Sequence, residues 1–316
     1  MRYDVIPFIP AHADEAARLL AEAHARECAV SPLLPPLDPC RAARFVNECG
    51  GGTEGPAVAA FHLGRMVGFL RTTSRFPWKG QLASVSREYA HAATGGDRGL
   101  IYQLMYAAVA EEWVAAGSQL HILCHFAGDP VVRETIYRLG FGAIIAENLR
   151  DLSPVAGVTG AATVEECDPA AVGALALEHA RYYRGSPIFV WKGDDAASEL
   201  AGLEEGSRAG NAVFAYRERG EPAAYFVVGP CGGEEEGRLL RDTNTAQIMS
   251  AYSKPETRGR LIGAALLDRC AEWARLRGHE RLFVEHETAN ILGAAFWGRH
   301  FSPYLYASMR YVESAP

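Results

Sequence analysis

Apolar residues recur along this chain at two spacings, and the alternation between them predicts its elements. Helical spacing marks Ala13 to Glu27, Gly99 to Ala116, Pro130 to Leu139, Pro169 to Tyr183, Asp194 to Glu205, Gly259 to Arg277 and Ile291 to His300. Three of these runs stop at a glycine, namely Gly117, Gly140 and Gly278, as helices do when the chain needs a left-handed residue. Short apolar or alternating runs predict strands at Tyr3 to Ile9, Leu82 to Ala92, Leu120 to Phe126, Ala143 to Leu152, Ala162 to Glu166, Gln247 to Tyr252, Arg281 to His286 and Tyr304 to Val312. Ala57 to Thr73 and Asn211 to Val228 read as hairpins, turning at Leu63-Gly64-Arg65 and Arg219-Gly220-Glu221. The Pro-rich stretch Ser31 to Pro39 reads as a loop.

The same order of elements occurs twice, at a shift of about 160 residues. Glu112-Trp113 falls on Glu272-Trp273, and Arg98-Gly99 on Arg258-Gly259. The segment Ser153 to Ala162, rich in Gly, Pro and small residues, is the natural boundary. The expectation is an α/β chain, α+β with mixed sheets, in two tandem domains: residues 1–155 and 160–316.

Charge and cysteine usage narrow the function classes. The net charge of -7 speaks against a dedicated nucleic-acid binder and against binding to an anionic membrane. Seven scattered cysteines without a C-x-x-C fit a reducing compartment. The first residues lack the apolar core of a signal peptide, and no apolar run approaches membrane-spanning length. A cytoplasmic protein, monomer or homodimer, is expected. His121, Cys124 and His125 alternate across a strand with no completing ligand pair, so no metal is expected. Gly50-Gly51-Gly52 lacks the Lys-Ser/Thr of a P-loop, and Glu234-Glu235-Glu236 reads as a solvated turn.

The most informative stretch is Ser253-Lys-Pro-Glu-Thr-Arg-Gly-Arg-Leu-Ile-Gly-Ala-Ala-Leu-Leu267, between an apolar strand and a long helix. A helix start offers unpaired N–H groups and a positive dipole end, on which phosphates settle. Gly259 and Gly263 permit close approach to the backbone, and Arg258 and Arg260 add donors that match phosphate geometry.

Strand, R-G-x-x-x-G-A, helix, strand, Asn, helix, strand resembles the GNAT acyltransferases in a tandem arrangement, strongly over Ala246 to Met309 and more weakly before it. The resemblance implies acetyl-CoA as co-substrate, with its diphosphate on Arg258, Gly259, Arg260, Leu261, Ile262, Gly263 and Ala264. It implies two strands splayed apart, with the pantetheine arm along the edge near Tyr252 and Ser253. Leu261 stands where the family motif has glycine. Asn290 matches the family's asparagine, and Trp297 occupies the position of the tyrosine that often protonates the departing thiolate; an indole is a poor proton donor. Asn290 also suits a helix cap, and Trp297 with Phe296 suits a core. The first half departs further. The shift places Tyr102 and Gln103 on Ile262 and Gly263, and Ile136 at the phenol position, so this half is expected to keep the fold and to have lost normal cofactor binding.

The resemblance therefore implies an N-acetyltransferase acting on an amine of a small molecule or peptide. Glu285, then His286, stands at a strand end as the candidate base. The backbone N–H near Tyr252 or Ser253 would stabilise the oxyanion, and Tyr252, Tyr304 and Tyr306 offer replacement phenols. His179, Tyr182 and Tyr183 border the acceptor side. Two alternatives stand beside this reading: an active site in the first half built on Glu88, Tyr89 and Tyr137, and a non-catalytic CoA-binding or partner-binding module.

Overall fold

The computed structural model describes residues 3–48, 55–158, 163–232, 237–241 and 243–313. The Gly50-Gly51-Gly52 and Glu234-Glu235-Glu236 runs lie outside the described residues. In chain order the first half contains β1 (Asp4–Pro7), α1 (Ala13–Val30), α2 (Pro39–Glu48), β2 (Ala57–His62), β3 (Arg65–Arg71), β4 (Ser74–Trp78), β5 (Gln81–Ser86), β6 (His91–Ala93), α3 (Arg98–Ala115), β7 (Ser118–Phe126), α4 (Pro130–Arg138) and β8 (Gly142–Asp151). The second contains β9 (Val164–Glu166), α5 (Gly173–Tyr182), α6 (Ala196–Arg208), β10 (Ala212–Glu218), β11 (Glu221–Pro230), β12 (Thr245–Ser253), α7 (Ile262–Leu276), β13 (Arg281–Glu287), α8 (Ile291–His300) and β14 (Ser302–Tyr311). Both hairpin turns form with positive φ at their two central residues, Leu63-Gly64 and Arg219-Gly220, the geometry that matches strand twist.

The compact units are Met1–Ala146 with Pro303–Pro316, and Glu147–Ser302. They differ from a division at 153–162 because β14 pairs antiparallel with β7, from Leu305 opposite Phe126 to Tyr311 opposite Leu120. The last strand of the chain thus completes the first unit, where Tyr304 and Leu305 are fully buried. Periodicity identifies a strand but not the edge it joins.

In the first unit β1, β2, β3 and β6 form one antiparallel sheet, and β4, β5, β7 and β14 follow one another in a second. The run Leu82 to Ala92, expected as one strand, is broken into β5 and β6 in different sheets. Helix α2 and strand β4 were not expected from the pattern. Helix α3 packs Ile101, Met105, Val109 and Trp113 over β2 and β3.

In the second unit the strand order is β8, β13, β12, β11, β10, β9. Strand alternation sends Phe214, Phe226, Val228, Ile248, Leu282 and Val284 to one face, covered by Ile262, Leu266, Cys270 and Trp273 of α7. Val213, Ala215, Tyr225, Val227 and Tyr252 pack on the other with Leu175 and Ala176 of α5. Trp113 and Trp273, aligned by the internal repeat, are each sealed in their own core at 0 % and 4 % exposure. Burying a side chain of this size contributes roughly 3 kcal/mol or more.

Candidate active site

Strands β12 and β13 are parallel neighbours, paired from Thr245 opposite Arg281 to Ile248 opposite Val284. Beyond that point the pairing stops, although the strands run on to Ser253 and Glu287. The cause is local. The β11–β12 register shifts between Val227 and Val228, so that Met249 is left without a partner as a bulge. A bulge bends its strand and increases twist, and here it turns β12 away from β13.

The opening is a cleft of about 600 Å³ within the second unit. Both strand edges line it, from Gln247 to Ser253 and from Val284 to Glu287, and it reaches the start of α7. Lys254 N–H donates to Ala223 O on the β11 side. Backbone groups alternate along a strand, so the N–H groups of Ala251 and Ser253 face the opening while that of Tyr252 faces β11. Ser253 O, on the open side, accepts from Arg258 Nε at 3.1 Å. The Ser253 N–H thus faces the cleft, whereas Tyr252 is 9 % exposed and its ring stacks 5.4 Å from His179.

The turn before α7 is left-handed at Gly259 (φ 77) and Leu261 (φ 61), which delays the helix to Ile262, later than the expected Gly259. A Cβ on Gly259 would meet no atom within 4 Å, so backbone approach is open there. At Gly263 a Cβ would stand 3.2 Å from Phe296 Cε2, so this glycine makes room for α8 rather than for a ligand. Leu261 keeps a left-handed backbone without being glycine, at a cost of roughly 1–2 kcal/mol, and its side chain is half exposed. Ala265 N–H already bonds Leu261 O, whereas the N–H groups of the first turn have no acceptor within the helix.

Of the residues singled out from the sequence, Tyr252, Ser253, Arg258, Gly259, Leu261, Ile262, Gly263, Ala264, Glu285, His286, Asn290 and Trp297 line this one cleft. Arg260 does not: its guanidinium pairs with Glu218 at 2.6 Å and reaches Tyr216 at 3.3 Å, on the β10 side of the turn. Tyr304 and Tyr306 are also absent from the cleft, because β14 belongs to the first unit. Asn290 caps α8 through Gly293 N–H at 3.1 Å, and its Oδ1 also accepts from the Tyr182 hydroxyl at 3.0 Å. Trp297 is buried among Phe226, Phe296 and Phe301.

One wall of the cleft, formed by His179, Tyr182, Tyr183 and Lys192, is aromatic and polar. Burial, then the charge of Lys192, pushes His179 down to about 3, so this imidazole is neutral. It lies 3.3 Å from Ser250 Oγ and 3.4 Å from the Tyr225 hydroxyl. Burial likewise lowers His286 and raises the phenols of Tyr183 and Tyr252. Lys192 and Ser250, which line the cleft, carried no motif in the sequence. The scarcity of lysine was the available signal for the first; nothing marked the second.

The corresponding region of the first unit holds a cavity of about 100 Å³. His91 fills the space beside β7, with Nε2 2.7 Å from Cys124 O and Nδ1 2.9 Å from the Tyr102 hydroxyl. From α1, the Glu27 carboxylate accepts from Gly128 N–H at 2.9 Å. The alternative set is dispersed: Tyr89 stacks on Phe45 at 5.3 Å and Tyr137 is exposed on α4. Among the described residues no group of three His, Cys, Asp or Glu is arranged to hold a metal ion. No described helix is long and apolar enough to cross a membrane.

Residues 178–301 match the sequence profile of the acetyltransferase (GNAT) family. No curated protein shows significant sequence similarity to the chain. Among solved structures, the fold is similar to a GCN5-related N-acetyltransferase from Sphaerobacter thermophilus, at TM-score 0.58 and 15 % identity over 98 % of this chain and 95 % of that one. It is similar to a tandem GNAT protein from the clavulanic acid biosynthesis pathway, at TM-score 0.50 and 16 % identity over 100 % and 99 % of the two chains. It also resembles a GNAT-family acetyltransferase from Colwellia psychrerythraea, at TM-score 0.51 and 9 % identity over 99 % and 100 %. The fold is that of tandem GNAT proteins, with a GNAT-family segment at 178–301.

Proposed function

We propose that the second unit is an N-acetyltransferase that binds acetyl-CoA in its cleft and transfers the acetyl group to a primary amine of a small molecule or peptide. The observation that carries this reading is the interrupted β12–β13 pairing, which leaves two backbone edges facing one cleft that ends on a helix start. Amides of a pantetheine arm can pair with the open edge of β12 as an added strand would. The diphosphate fits the first turn of α7 and the turn at Gly259, with Arg258 beside it.

The thioester carbonyl then lies toward the Ser253 N–H, which stabilises the developing oxyanion. Glu285 takes a proton from the attacking amine, directly or through water. Tyr182, whose hydroxyl is anchored beside the cleft by donating to Asn290 Oδ1, turns that proton to the departing thiolate, a step Trp297 cannot perform. Holding amine and thioester together accounts for most of the acceleration. The first unit keeps the fold without binding CoA, because His91, Tyr102 and Glu27 occupy the equivalent space.

Calorimetric titration with acetyl-CoA, and release of free thiol across a panel of amines, test the reading. One binding site per chain and thiol release with at least one amine are expected. Glu285→Gln should then lower turnover about 100-fold, with the loss largest at low pH. Binding without release from any amine of a broad panel would instead make the cleft a CoA-binding module, and no binding at all would overturn the reading.

A further inference from the structure

Lysine is scarce in this chain: the 31 basic residues comprise 28 arginines and only three lysines, Lys79, Lys192 and Lys254. Of the three, Lys192 alone lines the cleft. Lys79 lies over the ring of Trp78 in the β4–β5 turn, and Lys254 approaches Glu178 at 3.7 Å.

Lys192 meets a carboxylate and an aromatic ring at the cleft wall; both hold it as an ammonium, and the carboxylate is also the nearest base that could take its proton. Its ammonium stands 3.2 Å from Glu287 Oε1 and 3.7 Å from the centroid of the Tyr183 ring. Burial, then the charge of the neighbouring Glu287, raises the Tyr183 phenol. Glu287 ends β13, two residues beyond Glu285, past the point where β13 stops pairing with β12. The loop carrying Lys192 is braced next to it, where Arg184 bonds Asp194 at 3.1 Å and lies over Trp191 at 3.8 Å. The Lys192 side chain is 42 % exposed, so once its proton passes to Glu287 the four-carbon stem has room to move within the cleft. An arginine would serve the ion pair equally well but could not accept an acyl group, because its guanidinium is not deprotonated in proteins.

We infer that Lys192 is a self-acetylation site, its amine taking the acetyl group of a pantetheine thioester bound in the same cleft; this rests on the acetyl-CoA reading above. Glu287 accepts one proton from the ammonium. The freed nitrogen pair forms the bond to the carbonyl carbon, the carbon–sulfur bond breaks, and sulfur leaves with its electron pair. The second nitrogen proton ends on that thiolate. The products are acetyl-lysine, free CoA and one proton passed to solvent through Glu287. Acetylation removes the charge of Lys192 and releases Glu287, which can then face an incoming ammonium.

The full chain is incubated with acetyl-CoA carrying an isotopically labelled acetyl group, without any added amine, and the label is mapped by peptide mass spectrometry. Calorimetry on the same preparation reports binding. Label is expected at Lys192 at least about tenfold above Lys79 and Lys254, because proximity favours the amine in the cleft. It should form with a rate constant independent of protein concentration, and be lost in Lys192→Arg while that variant still binds acetyl-CoA. Equal labelling of the three lysines, a rate proportional to protein concentration, or binding with no label on Lys192 would overturn this inference alone. Absence of binding would overturn it together with the proposed function.

Discussion

Helices α3 and α7 both begin one residue before a glycine that makes room for the next helix. A Cβ on Gly99 would stand 2.9 Å from Thr135 Oγ1, and one on Gly263 3.2 Å from Phe296. At the helix start Gly99 therefore corresponds to Gly263, not to Gly259 as the 160-residue shift suggests. What precedes each glycine differs. In the second unit the turn carries Gly259, Leu261 and the cleft-facing Arg258, with no acid in the first turn of α7. In the first, Asp97 stands at the N-cap of α3, and Arg98 is paired with Asp129 at 3.3 Å. The Asp97 carboxylate accepts from the Tyr3 hydroxyl at 3.0 Å rather than capping the helix, and its negative charge beside the helix start disfavours an incoming anion. The strand before the helix differs too: β12 bends at one bulge, whereas β5 and β6 are separated by four residues and the space fills with His91. Two copies of one scaffold thus diverge by side chains placed into the gap, while the packing that makes the scaffold is kept.

The sharpest way to break this comparison is to move the charge. Gly259→Glu puts a carboxylate where the diphosphate would sit. It should weaken acetyl-CoA binding by about 100-fold or more through loss of charge-assisted hydrogen bonds. Gly99→Glu should leave binding unchanged and destabilise the first unit by roughly 1–3 kcal/mol through overpacking against Thr135. Calorimetry and urea unfolding separate the two outcomes, and equal loss of binding in both variants would erase the distinction between the units.

Acidification should act mainly on the first unit. Burial pushes His24, His91, His121 and His125 down to about 4. Each is neutral when folded and titrates near 6.5 when unfolded. Their contribution is complete above pH 6.5 and is lost as pH falls through about 4, at most about 3 kcal/mol for each. Glu27, raised to about 7 by burial, works in the opposite direction: its contribution is present below 4.5 and lost as pH rises through 7. Four imidazoles against one carboxyl in the first unit compare with His179, held at about 3, and the less strongly lowered His279, His286 and His300 in the second, so amide exchange in β7 and α3 should accelerate more between pH 6.5 and pH 4 than that in β12 and α7. Equal acceleration in both units would contradict this.

The smallest effects lie at the turn itself. Leu261→Gly should relieve the left-handed strain and leave stability unchanged or raised by about 1 kcal/mol, since glycine also costs more entropy. Arg260→Ala should change acetyl-CoA affinity less than about threefold, because its guanidinium is exposed, paired with Glu218 and outside the cleft. A large loss of binding in Arg260→Ala would return this residue to the site.

Much of this molecule was legible in its sequence. The helices around Trp113 and Trp273, the two hairpins and the strand–turn–helix at 247–277 follow from local periodicity and from glycines at turns, which depend on neighbours a few residues away. The same locality makes Ser253, Arg258, Gly259, Glu285 and Asn290 readable as one constellation, since each lies at the end of a strand or the start of a helix. Tertiary structure alone decided which edge β14 joins, that Met249 is the bulge that opens the cleft, that Gly263 serves Phe296, and that Arg260 turns to Glu218. It also brought Tyr182 to Asn290 and Lys192 to Glu287 across 108 and 95 residues of chain. These outcomes depend on strand register and on competition among distant partners for the same space, and neither leaves a period in the chain.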